Sequence, residues 1–203
     1  MYPVKVPYTG VVAVSPAVFV DEEKNQDRAR FFGPDQVACV CDGVTTSPRA
    51  AEAAFAEMLG HLKTSLAGER FRNSFPPMLF HLSDGESATD ATALAQEAMQ
   101  QSTADGGALV VNAYVGTRTR LSYNGPEDFP GYIEVSEVGS REDNIRLFDM
   151  SSEVPPCIEA NLKADGIFPQ LRPGSRLFFD VRTKDMLKHV IQVIGSMNSR
   201  MER

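Results

Sequence analysis

The stretch from Phe75 to Gly85, FPPMLFHLSDG, constrains the fold of this chain more than any other. Met78 to Leu82 is a short apolar run that closes on a Ser-Asp-Gly turn, and a helical pattern follows. Strand, acidic turn and helix in that order put Asp84 at the carboxyl end of a strand. Open α/β sheets bind ligands at those ends. A carboxylate held there on a tight glycine turn suits a hard divalent cation. Val37 to Cys41 repeats the pattern, ending in Asp42-Gly43 ahead of a second helix. If the two strands lie parallel and adjacent, both carboxylates meet at one edge of one sheet.

The rest of the chain fits the same class. Residues 3–20 alternate short apolar runs with Pro and Gly and read as edge strands, where Pro is tolerated. Residues 21–36 are polar and read as a loop. Ser47-Pro48 opens a helix in which Ala51, Ala54, Phe55, Met58, Leu59 and Leu62 recur at helical spacing. The charged connector 67–75 marks a boundary, giving segments 1–72 and 73–203. Beyond it come a helix from about Ala91 to Gln101 capped by Asp90, a turn at Asp105-Gly106-Gly107, and a strand from Ala108 to Val115. A long irregular stretch, 116–143, precedes a helix after Pro155-Pro156. The strand Arg176–Val181 and an amphipathic helix, Thr183–Ile194, follow. Alternating strands and helices predict an α/β fold with a mainly parallel sheet flanked by helices, Rossmann-like, and a short β-rich N-terminal segment.

Composition narrows function by exclusion. The net charge is -7 with no offsetting basic stripe, which argues against nucleic acid as a partner. No apolar run approaches the ~20 residues of a membrane span, and the first ten residues lack a signal-peptide core, so the expected location is cytoplasmic. Cys39, Cys41 and Cys157 read as reduced, buried thiols rather than a disulfide framework. His81 reads as a hydrogen-bonded core histidine, and His61 and His189 fall in helices. Without His or Cys at ligand spacing a zinc site is not expected. Ser47 and Ser83 belong to no visible Ser-His-Asp arrangement.

Residues 76 to about 197 resemble the second half of a bacterial von Willebrand factor type A domain. The resemblance rests on PPMLFHLSDGESATDATALAQEAMQ, on DGGALVVNAYVG, on DFPGY and LFDMSSEVPP, and on RPGSRLFFDVRTKDMLKHVIQVIGS, in that order. Such domains bind proteins through Mg²⁺ or a similar ion whose coordination a partner's acidic side chain completes. By this resemblance Asp84 is a metal ligand. The family's Asp-x-Ser-x-Ser motif has one counterpart, Asp42-Gly43-Val44-Thr45-Thr46-Ser47. Val44 and Thr46 stand at the two serine positions, so one hydroxyl ligand is missing and the site is incomplete.

The N-terminal part, KNQDRARFFGPDQVACVCDGVTTSPRAAEAA, resembles the start of a PPM-type metal-dependent protein phosphatase. Asn25, Gln26 and Asp27 match the family's Asn-Glu-Asp segment, and Asp42-Gly43 its metal-bridging pair. The family's metals, Mg²⁺ or Mn²⁺, activate a water against phosphoserine or phosphothreonine. Glu22 stands where its phosphate-binding arginine belongs, and Thr45-Thr46 replaces a Gly-Gly. The two resemblances imply a composite chain. The expected function is a metal-assisted, non-catalytic protein-binding module; the alternative is a degenerate phosphatase. The candidate metal residues are Asp27, Asp42, Gly43, Thr45, Thr46, Ser47 and Asp84.

Overall fold

A computed structural model describes residues 28–32, 37–41, 50–69, 73, 76–83, 89–116 and 119–199. Strands β1 (Arg28–Phe32), β2 (Val37–Cys41) and β3 (Met78–Ser83) are followed by a two-stranded hairpin, β4 (Ser102–Thr103) and β5 (Gly106–Gly107). Strands β6 (Leu109–Tyr114) and β7 (Phe178–Asp180) complete the set. The main sheet has the order β1-β2-β3-β6-β7. Strands β2, β3, β6 and β7 run parallel, and β1 is the antiparallel edge. The order never reverses among the described strands, so adjacency, not a switch point, brings their ends together. Strands from both sides of the 72/73 boundary share this sheet. Arg28–Phe32, expected as loop, is a strand because its backbone pairs in full register with β2. The expected strands within 3–20 and the cap at Ser47-Pro48 lie outside the described residues, as do the side chains of Cys39 and Cys41.

Among the described residues five α-helices flank the sheet: α1 (Ala50–Ala67), α2 (Thr92–Met99), α3 (Glu142–Asp149), α4 (Pro156–Ala164) and α5 (Lys184–Ser199). Alternation along each strand sends neighbouring side chains to opposite faces. Leu79 and Val110 therefore pack with Phe55, Met58, Leu59 and Leu62 of α1 and with Ala95 and Ala98 of α2. Met78, Phe80, Leu109 and Val111 pack on the other side with α4, α5 and the segment 119–138. The α1 residues sit at i, i+3, i+4 and i+7, the spacing that builds one helical stripe. Asp90, expected as the cap of α2, stands one residue before it: the N-cap is Ala91, while Asp90 Oδ1 accepts the Thr92 amide at 2.8 Å. Hydrogen bonding from the Thr92 hydroxyl, and then from its amide, holds the Asp90 carboxyl below its usual range.

A polar seam crosses the buried sheet. His81 is buried, edge-on to Phe55, and its Nδ1–H donates to Asn112 Oδ1 at 2.8 Å. Asn112 Nδ2 donates to Ser151 Oγ at 3.0 Å, and Ser151 Oγ–H donates to the Leu147 carbonyl at the end of α3 at 2.7 Å. Next to it Ser152 Oγ accepts the Val110 amide at 2.9 Å. Strand β7 is too short to reach Val110, and Ser152 takes the place of the missing neighbour. The LFDMSS motif is thus explained by helix ending and edge pairing.

The stretch 116–143 is ordered wherever it is described. It holds two 3₁₀ turns, Pro126–Asp128 and Val135–Val138, and α3 begins at its end. Phe129 is fully buried against Tyr123, Tyr132, Phe168 and Phe179, with ring centroids 5.1–5.8 Å apart. Gly131 adopts φ +73°, and a Cβ there would lie 2.3 Å from Ser175 Oγ, so only glycine fits. Cys157 is exposed, against expectation, because Ile158 and Leu162 take the inward positions of α4. No helix among the described residues is long and apolar enough to cross a membrane. Replacing Phe129 by Ala should lower unfolding free energy by about 3–5 kcal/mol in urea titration, the usual effect of emptying a buried aromatic site; a loss below ~1 kcal/mol would show that the segment is not part of the core.

Candidate functional site

One row of paired residues crosses the whole main sheet: Arg28, Cys41, Leu82, Ala113 and Phe179. Ser83, Tyr114 and Asp180 form the next row toward the carboxyl edge. Adjacent strands lie about 4.8 Å apart, so the strands leave this edge close together. In the sequence Asp27 directly precedes Arg28, Asp42 directly follows Cys41, and Asp84 directly follows Ser83. Asp27, Asp42, Gly43, Thr45, Thr46, Ser47 and Asp84 themselves lie outside the described residues, as does Glu86. Among the described residues no three His, Cys, Asp or Glu side chains gather closely enough to hold a metal.

The described acid on this edge is Asp180, which is completely buried. Thr119 Oγ1 donates to its Oδ2 at 2.6 Å, and Arg182 Nε donates to the same oxygen at 2.6 Å. Tyr123 lends its one phenolic proton to Asp180 Oδ1 or to the Asp180 carbonyl oxygen, 2.6 Å away. Arg182 also bonds Thr119 Oγ1 at 2.7 Å and the Leu121 carbonyl at 2.6 Å, and its guanidinium lies 4.4 Å from the centre of the Tyr123 ring. The Tyr132 hydroxyl is buried beside Thr119 and Asp180 but makes no hydrogen bond of good geometry.

The electrostatics of the cluster are self-consistent. Burial, then the Asp180 charge, pushes the Tyr123 phenol far above its ordinary pKa, so it remains a donor. Burial and Asp180 act on Tyr132 in the same direction. Burial works against the charge on Arg182, but Asp180 outweighs it and raises the pKa of the guanidinium. Both carboxylate oxygens of Asp180 are engaged by donors, which makes it an anchor rather than an open cation ligand. The reading of the sequence missed Asp180, Arg182, Thr119, Tyr123 and Tyr132. A signal existed: the run RLFFD, like VACVCD and MLFHLSD, is an apolar strand ending in an acid.

A second clamp holds the far end of the segment. Arg172 donates through Nη2 to the Gly131 carbonyl at 2.6 Å and to Glu137 Oε1 at 2.7 Å, and through Nε to the Pro130 carbonyl at 3.2 Å. Glu137 Oε2 accepts the Ile133 and Glu134 amides at 2.7 and 3.2 Å.

Comparison with protein-family models, with curated proteins and with solved structures finds no match. The site therefore stands on its own geometry.

Burial alone would raise the Glu137 carboxyl, but the Ile133 amide and Arg172 hold it below its unfolded value of 4.5. A depressed folded pKa stabilises above the unfolded value, and the contribution disappears as pH falls through the lower folded value. Urea titrations should thus find Glu137→Gln less stable than the native chain at neutral pH, with the gap closing in acid; a gap unchanged between neutral and strongly acidic pH would contradict this.

Proposed function

We propose that the carboxyl edge of β2 and β3 carries a divalent-cation site and that the chain is a metal-assisted protein-binding module, non-catalytic, of the von Willebrand type A kind. One observation carries this reading. Strands β2 and β3 are adjacent and parallel, with Cys41 opposite Leu82, so the chain runs on toward both Asp-Gly pairs of the sequence from one edge of one sheet. In this reading Asp42 and Asp84 supply charge to Mg²⁺ or Mn²⁺, and Thr45, Thr46 and Ser47 supply neutral oxygens. A site with few carboxylates leaves the ion electrophilic, and an acidic side chain of the partner protein completes the coordination.

The β1–β2 hairpin supports a second reading. Its register sets Arg28 opposite Cys41, so the residue after Asp27 and the residue before Asp42 share one row. Three aspartates around a common edge suit two metal ions and water activation, the chemistry of a PPM-type phosphatase. The unmatched phosphate arginine favours binding over hydrolysis.

Calorimetric titration with Mg²⁺ and Mn²⁺ should give about one equivalent bound to the native chain and none to Asp84→Asn, as expected of a single oxygen-ligand site. Heat that survives in the variant, or no binding at millimolar metal, would overturn the proposal. Mn²⁺-dependent hydrolysis of a phosphoserine peptide that is lost in Asp27→Asn would replace it with the phosphatase reading.

A further inference from the structure

The segment after β6 is held in two physically different ways. Its second part, residues 126–138, is sewn into the core by Phe129, Tyr132 and Val138, all fully buried. Its first part, Thr119–Asn124, contributes no fully buried side chain; Leu121 and Tyr123 pack against the core while partly exposed. Its hydrogen bonds converge mainly on two side chains, and the Tyr123 ring adds an edge contact to Phe129, with ring centroids 5.1 Å apart. Thr119 and Tyr123 donate to Asp180, and the Leu121 carbonyl accepts from Arg182. Two further bonds tie it to the core-held part: Arg120 N–H to the Glu137 carbonyl and Asn124 Nδ2 to Asp128 Oδ2, both at 3.2 Å. Glycines stand on both sides: Gly116, where a Cβ would strike the Tyr114 ring at 2.4 Å, and Gly125, with extended backbone.

We propose that Thr119–Asn124 is a flap over the carboxyl edge of β6 and β7, latched shut by Asp180 and Arg182 and opening as a unit while residues 126–138 stay in place. Asp180 and Arg182 are then positioning residues. Polar contacts are individually modest in water, so a piece held by them opens at lower free energy than one held by buried aromatics. Opening withdraws the Thr119 and Tyr123 donors from Asp180 and the Leu121 carbonyl from Arg182. It uncovers a carboxylate on the row that runs through Tyr114 to Ser83, the exit of β3. Closed, both carboxylate oxygens are covered by donors; open, Arg182 still pairs with Oδ2, and Oδ1 is freed to accept from a donor group of a ligand. The proposal concerns Asp180 alone and holds whether or not metal binds at Asp84.

Trypsin reads the flap directly, because Arg120 lies within it and is exposed. Cleavage by dilute protease follows the population of the open form when closing is fast. With the full chain, the first cut between residues 119 and 182 should fall after Arg120, ahead of Lys163 and Arg176. Tyr123→Phe keeps the ring and removes only the hydroxyl. It should speed the Arg120 cut by about tenfold or more, as losing one hydrogen bond to a charged group would, while the cuts after Lys163 and Arg176 keep their rates. Asp180→Asn should act in the same direction. An unchanged Arg120 rate in Tyr123→Phe, or a rise shared equally by Lys163 and Arg176, would overturn the flap in favour of a segment that opens only with the whole fold.

Discussion

Backbone pairing forces β2, β3, β6 and β7 to point the same way, and the consequences of that shared direction run through the molecule. Parallel strands need crossovers, and crossovers carry helices to the faces of the sheet. Both faces must then be apolar, which explains why β6 is buried at every position. It also gathers all four parallel strand ends at a single edge. The edge is where polar groups can be reached without crossing the core, and acids follow or close three of those strands in the sequence: Asp42, Asp84 and Asp180.

Asp180 shows what such an acid requires once it is buried. Removing a carboxylate from water is expensive unless its oxygens are paired and hydrogen-bonded. Here Arg182, Thr119 and Tyr123 together meet that need, and two of the three come from a segment more than fifty positions away in the chain. The pairing therefore does more than offset a desolvation penalty: it fixes where the long connection after β6 lies. Arg172 does the same for the far end through Glu137 and the carbonyls of Pro130 and Gly131. Between the clamps, Phe129 supplies the apolar anchor.

Much of this architecture is legible in the sequence wherever the signal is local. The strands at 37–41 and 78–82, the core histidine and the inward stripe of α1 all follow from periodicity and short-range chemistry. Strand β1 escapes such reading because its pairing partner, not its composition, makes it a strand. The stretch 116–143 escapes for a related reason: its order depends on Asp180 and Arg172, which pattern analysis within the stretch cannot see. Helix α3 is short and begins inside that stretch, where Glu142 and Asp143 read as loop. The candidate cation ligands are legible as motifs, Asp42-Gly43 and Ser83-Asp84-Gly85, and the register of β2 and β3 supplies what motifs alone lack, a common edge.

The central proposal is that this edge attracts a divalent cation. Mn²⁺ is paramagnetic and broadens the nuclear resonances of amides near it. Titrating the ¹⁵N-labelled chain with substoichiometric Mn²⁺ should bleach the amides of Arg28, Cys41 and Ser83 first and leave those of Phe32, Val37 and Met78, at the opposite end of the same strands, sharp. Broadening that is uniform along β2 and β3, or centred on the exposed acids of α3, would contradict the account and remove the cation from the edge.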